Sequence, residues 1–417
     1  MSGPTPRRLR QFAIERLRLE PFIREPGDGR VYPQIPAADL LWALVAGHIL
    51  RDHSHRGVEA LVEPCPASVG VGRSFGDDAL AYFTERLDPD RLRSALGEIL
   101  RRAKRNKAFA QGRLVGIAVD GSMAGRSCES KCPLCRPVYD AKHELTGHRH
   151  EFAMASIVGV ELSLPFDVEP YGPGDSEYSA SRRLLERAVR QLGTRFADYV
   201  VGDGEYATAP FLHAAGDLRL RAVARLKDNL PTLFAAAKAR FEGTEPTSVF
   251  RVGQDRVELW DADDFDPWET LRWTTVRVIR YRQHKPDGSV VEAYWLTDFS
   301  RHEASGRELY LIAKSRWEIE NQGFNDGKNR YGMEHIRHHH ENSVVVSWLI
   351  AVLAITIERL YRLRHLRRGG RPGLSAIDLV RILRRALGAA DAEHRNRREL
   401  SRTQRRTAPA PAPAPDG

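Results

Sequence analysis

Three carboxylates stand where they could hold divalent cations. Asp120 closes the apolar run Leu114-Val115-Gly116-Ile117-Ala118-Val119, and Asp203 closes Tyr199-Val200-Val201-Gly202. Glu320 lies in Ser315-Arg316-Trp317-Glu318-Ile319-Glu320-Asn321-Gln322-Gly323-Phe324-Asn325, which reads as a helix. Two aspartates at strand ends and a glutamate on a helix can bind a pair of cations, and such a pair cuts and rejoins phosphodiesters. Magnesium and manganese are hard ions that prefer oxygen ligands of this kind. Asp-Gly is also a common turn dipeptide, and Asp287-Gly288, between two alternating runs, is that ordinary case. Asp120 and Asp203 differ because the runs before them read as buried on both faces. Open sheets form their sites beyond the carboxyl ends of such strands. Arg316 and Glu320, four residues apart, share one helix face. They form either a simple ion pair or a metal ligand beside an arginine that grips a phosphate.

A second cluster follows Asp120 directly. Of the four cysteines, Cys128, Cys132 and Cys135 crowd together, with His143, His148 and His150 after them. Cys132-Pro133-Leu134-Cys135 has the knuckle spacing of structural zinc sites, which need two further ligands to close a tetrahedron. The candidate zinc ligands are Cys128, Cys132, Cys135 and His150, with His148 the alternative to His150; the competing reading is reduced thiols packed in a loop. His338-His339-His340 reads as polar helix surface or a DNA-facing turn, because three adjacent helical residues cannot point one way.

The elements around these residues set the organisation. With 417 residues, a net charge of +9 and a pI near 9.5, the chain has room for two or three domains and a charge suited to an anionic polymer. Residues 1–110 read as a helical N-terminal domain, with helices over Ala37–Leu50 and Asp88–Leu100. The basic stretch Arg101–Lys107 is either a solvated helix end or a phosphate-contacting face. Strands over 114–119, 153–160, 199–201 and 222–226, with a helix over 179–192, make residues 111–234 an α/β layer. Residues 235–300 read as a β-rich insertion, with a hairpin turn at Pro286-Asp287-Gly288. Residues 301–366 return to helix, and 367–417 form a basic, Pro/Ala-rich tail. The apolar run Val344–Ile357 is shorter than the roughly 18 to 20 residues that span a bilayer and reads as a buried core helix. The basic start Met1–Arg8 has no apolar stretch behind it, so a cytoplasmic, nucleoid-associated location without membrane attachment is expected.

Taken together, these motifs resemble those of DDE transposases of bacterial insertion sequences. Arg316 has the family's spacing to Glu320, with the aromatic-x-Ile between them present as Trp317-Glu318-Ile319. Asp203 with Tyr206 matches the Asp-x-x-Tyr at the second acid. Ile319-Glu320-Asn321, Phe324-Asn325, Lys328-Asn329 and Tyr331-Gly332-Met333-Glu334-His335 are similar to a series in one branch, whose members also carry a Cys-x-x-Cys and a later histidine. Two positions depart. Ala313 replaces a tyrosine three residues before Arg316, and Lys328 falls one residue late, which rotates it by about 100° on a regular helix. A π-bulge or a break near Gly323 would restore it.

The resemblance implies an α/β fold with an RNase H-like mixed sheet and flanking helices, and an all-β insertion before the last catalytic helix. It also implies that Asp120, Asp203 and Glu320 are catalytic and hold two magnesium or manganese ions, and that Arg316, Lys328, Tyr206 and Asn325 contact DNA. The expected partners are double-stranded DNA, both transposon ends and target, and a second copy of the chain in a synaptic homodimer. The expected reaction is metal-dependent cleavage at the element's ends and strand transfer into target DNA. The alternatives are a domesticated or inactive derivative that binds DNA without cutting it, a zinc-stapled binding module, and a nuclease of the same fold.

Overall fold

Helices open the chain. They are α1 (Pro6–Gln11), α2 (Glu20–Arg24), α3 (Ala37–Leu50), α4 (His55–Val62), α5 (Pro66–Val69), α6 (Asp77–Arg86) and α7 (Pro89–Arg105). The computed structural model describes residues 4–109, 113–160, 162–365 and 375–407. Thr5, Ser54 and Asp88 cap α1, α4 and α7 through side-chain oxygens, and Pro89 stands at the first turn of α7, where its missing N–H costs nothing.

The strands are β1 (Gly116–Ser127), β2 (Arg136–Tyr139), β3 (Leu145–Val158), β4 (Leu164–Pro170), β5 (Tyr199–Gly202), β6 (Arg221–Leu226), β7 (Ser248–Val252), β8 (Asp255–Phe265), β9 (Val276–His284) and β10 (Val290–Thr297). They form one ten-stranded sheet in the order β2-β3-β1-β5-β6-β10-β9-β8-β7, with β4 also on β3. β3 runs antiparallel to both β1 and β4, whereas β5 is parallel to β1 and β6 is parallel to β5. The order β4-β3-β1-β5-β6, with α8 (Glu177–Leu192) between β4 and β5 and α9 (Ala209–Asp217) between β5 and β6, is the RNase H-like core. β5 is buried at every position because helices cover the sheet around it: α8 packs on β1 and β3, and α11 (Gly306–Glu318) packs on β1, β5 and β6.

Beyond β6 the chain forms α10 (Pro231–Phe241) and then the antiparallel meander β7 to β10. β10 pairs with β6, so the β-rich insertion extends the core sheet and covers an edge that would otherwise present unpaired backbone groups. The Asp287-Gly288 turn is as the sequence suggests: Lys285 N–H donates to the Ser289 carbonyl at 2.9 Å, and Gly288 takes a φ of +81°.

The expected long helix after Leu309 is divided. α11 passes into a π-helical turn over Ile319–Phe324, then into α12 (Asn325–Tyr331). Gly332 ends α12 in the left-handed region at φ +66°, and α13 (Glu341–His365) begins after a non-helical segment that contains the three histidines. α13 is long and apolar enough to cross a membrane, yet its apolar window is wholly buried between α3, α6 and α7 on one hand and β4 on the other. Its buried Glu358 pairs with Arg51 at 3.0 Å and accepts the Tyr331 hydroxyl, which fixes α12 to α3. Residues 376–407 of the segment read as a tail form α14, which seats Leu379, Leu383 and Leu387 against the N-terminal helices; 366–374 and the Pro/Ala repeat of 408–417 lie outside the described residues.

Candidate active site

Parallel pairing of β1 with β5 brings the two aspartates together. Gly116 faces Tyr199 and Ala118 faces Val201, so continuing the register sets Asp120 opposite Asp203. Asp120 accepts the Gly121 N–H at 3.0 Å, and Asp203 caps the turn Gly204–Tyr206 by accepting the Glu205 N–H at 2.8 Å. Lys227, just past β6, lies 3.4 Å from the second oxygen of Asp203.

The third acid reaches them through one guanidinium. Arg316 Nη1 is 2.8 Å from Glu320 Oε1 and 3.4 Å from Asp120 Oδ2. Arg316 is only 5% exposed, so it is a buried clamp between two acids rather than a free phosphate contact. Glu320 remains half-exposed at the start of the π turn.

A fourth carboxylate, from Glu177 at the start of α8, lies beside this group. A Cβ added to Gly121 would stand 1.9 Å from Glu177 Oε2, so glycine is what lets Glu177 approach the strand. Tyr206 donates its hydroxyl to Glu177 at 2.8 Å and lies 2.8 Å from the Ser181 hydroxyl. Burial pushes the Asp120 carboxyl up to about 7; Arg316 opposes the shift, and the nearby charges of Glu177 and Asp203 add to it. All the donors here are carboxylate oxygens, a set that fits hard divalent cations.

The remaining expected DNA contacts separate. Tyr206 is buried and committed to Glu177 and Ser181, so it serves the site from behind. Tyr206→Phe should leave DNA affinity unchanged and cost about 1 kcal/mol of stability in denaturant unfolding, the usual worth of a buried hydroxyl's bond. Asn325 is exposed at the start of α12. Lys328 is half-buried, and burial holds its amine below its ordinary value, opposed by the charge of Glu334. Of the π-bulge or break that would restore it, a π turn is present over Ile319–Phe324, and a Cβ on Gly323 would stand 3.2 Å from Met154 Sδ.

The cysteine cluster also rearranges. Cys132 and Cys135 approach His150, and the fourth member is His339, whereas Cys128 is exposed and outside the group. Sequence reasoning missed Glu177, Lys227 and His339. Only Lys227 carried a local signal, as a cation one position past a strand parallel to the one before Asp203.

A family profile described as the transposase DDE domain matches residues 136–357, more than half of the chain. The chain belongs to that family. The matched segment of this DDE transposase contains Asp203 and Glu320 and begins after Asp120. No curated protein matches the sequence. Among solved structures, a piggyBac transposase synaptic complex with hairpin DNA aligns with a TM-score of 0.47 and 11% identity, over 97% of this chain and 82% of that one.

Proposed function

We propose that the protein cleaves DNA at the ends of an insertion sequence and joins the freed ends to target DNA. The observation that carries this reading is the convergence of Asp120 and Asp203 on adjacent parallel strands, with Glu320 tied to Asp120 by Arg316. These three acids would hold two magnesium or manganese ions. Bound there, the cations would polarise the phosphate and lower the pKa of a bound water or 3′-hydroxyl.

The chain's own residues prepare this chemistry. Arg316 keeps Asp120 and Glu320 close despite their like charge, and Lys227 does the same for Asp203. The Tyr206 hydroxyl fixes Glu177 at the edge of the group. Water attack at the element's end releases a 3′-hydroxyl, and that hydroxyl attacks a target phosphodiester; each bond broken is replaced by one formed, so no ATP is needed. Lys328 and Asn325, in α12 beyond the π turn of Glu320, are the DNA-facing candidates. Double-stranded DNA would bind mainly through its phosphates, so affinity should fall steeply with salt. Two copies of the chain would bring two ends together.

The test uses the full chain with DNA carrying the flanking ends of its own locus, with magnesium or manganese. Joined products support transposition. Cleavage without joining indicates a nuclease, and binding without cleavage indicates an inactive DNA-binding derivative.

Cation binding should also depend on pH. Asp120 keeps its proton up to about pH 7 in the folded protein, against an ordinary value of 3.8. Its contribution to the stability of the metal-free protein is therefore present below pH 4 and lost as pH rises through 7. A cation must displace that proton, so manganese affinity should rise between about pH 5 and 7 and level off above. Calorimetric titration in buffers of different ionisation heat measures the released proton, and Asp120→Asn should remove both the release and the slope.

A further inference from the structure

Outside the acid group, four ligand-type side chains meet. One atom each from Cys132, Cys135, His150 and His339 lies within 4.8 Å of the other three, the one such group of three or more among the described residues. The two sulfurs are 3.8 Å apart, and His150 Nε2 lies 3.1 Å from one and 3.6 Å from the other. A tetrahedral zinc site with Zn–S of about 2.3 Å and Zn–N of about 2.05 Å requires S···S near 3.8 Å and S···N near 3.6 Å. A disulfide, at about 2.05 Å, is far shorter than the observed sulfur separation.

Two further features suit a metal. The Nδ1 atom of His339 is buried and has no hydrogen-bond partner, a costly state unless something ligates the ring. The Cys135 sulfur accepts the Lys131 N–H at 3.4 Å, and Cys135 N–H closes a turn on the Cys132 carbonyl at 3.0 Å, as in a knuckle whose backbone supports its sulfurs.

We propose that Cys132, Cys135, His150 and His339 bind one structural zinc ion. All four positions are filled by protein, so the site is closed, and its two thiolates select zinc over the hard ions suited to the acids. Its role follows from what it joins. The cysteines lie just beyond β1, which carries Asp120, and His339 lies in the segment that follows α12 and precedes α13. That segment is already seated on β1: Gly125 donates its N–H to the Glu334 carbonyl at 2.9 Å, and a Cβ at Gly125 would stand 2.5 Å from Ile336. The zinc ion locks this seat, and so holds the helix of Glu320 against the strand of Asp120.

Metal analysis of the full chain tests the assignment. One zinc per chain is expected in the wild type and in Cys128→Ser, His340→Ala and Glu320→Gln, and none in Cys132→Ser or His339→Ala. With magnesium in excess, a zinc-selective chelator should lower the thermal midpoint of the wild type by about 5 °C or more. Should the ligand variants fail to fold, cobalt added to zinc-stripped wild type gives the answer. A thiolate-to-cobalt charge-transfer band with a strong tetrahedral visible spectrum supports the site, and a weak octahedral spectrum without charge transfer overturns it. Wild type free of zinc after growth with zinc would also overturn it, as would zinc retained in His339→Ala and lost in Cys128→Ser.

Discussion

Replacing Glu320 with glutamine should slow strand cleavage and joining by about a thousandfold while leaving DNA affinity within about twofold. The substitution keeps the volume and one acceptor oxygen, so the contact to Arg316 survives as a hydrogen bond from the guanidinium to an amide oxygen in place of an ion pair at 2.8 Å. It removes one unit of negative charge from the proposed cation site. Losing several kcal/mol of transition-state stabilisation corresponds to roughly three powers of ten in rate. Arg316 keeps its second acid, Asp120, at 3.4 Å, so the fold should be little disturbed. Single-turnover cleavage of end-containing DNA gives the rate, and a salt titration of binding gives the affinity. A variant that cuts within tenfold of the wild type would remove Glu320 from the reaction.

Much of this site could be read from residue types and local spacing, because its parts are strand ends and helix turns. Asp120 and Asp203 follow runs buried on both faces, and a parallel pair with such runs must present its ends at one edge. The one-residue delay of Lys328 pointed to a π-bulge or a break near Gly323, and a π turn runs over Ile319–Phe324. What local spacing cannot convey is distance closed by the fold. Glu177 opens α8 with an ordinary capping sequence, and only the bare Cα of Gly121 brings it beside Asp120. His338-His339-His340 read as polar helix surface or a DNA-facing turn, because three adjacent helical residues cannot point one way. Gly332 breaks that helix and turns the histidine segment onto β1 and β3. The spacing of Arg316 to Glu320 allowed an ion pair or a phosphate contact; the ion pair is formed, while the burial of Arg316 and its second acid, Asp120, come from the fold and do not show in a linear motif.

The join between the N-terminal helices and the sheet yields the largest stability effect. Asp167 of β4 is 1% exposed and accepts Arg93 Nε of α7 at 3.0 Å, Arg187 Nε of α8 at 2.6 Å and the Val168 N–H at 2.8 Å. Arg93 also donates to the Val168 carbonyl at 3.2 Å, and Arg187 to Glu169 at 2.9 Å, so three elements share one buried charge network. Asp167→Ala would leave the guanidiniums of Arg93 and Arg187 with Glu169 as their one shared acid, at 3.6 and 2.9 Å. Removing one partner of a buried pair costs about 3 to 5 kcal/mol, and the ion pairs left to Glu169 set this loss toward the lower end. Asp167→Asn keeps the shape and part of the hydrogen bonding, and should cost less, about 1.5 to 3 kcal/mol. Asp264→Ala is the control: its pair with Arg240 is 65% and 60% exposed at the two side chains, and solvent screening limits its worth to about 0 to 1 kcal/mol. Urea unfolding followed by tryptophan fluorescence should rank the three in that order, since Trp42 of α3 and Trp295 of β10 are both buried and report on the two sides of the join. Equal costs for Asp167→Ala and Asp264→Ala would mean that apolar packing alone, chiefly α13 between the helices and β4, holds the halves together.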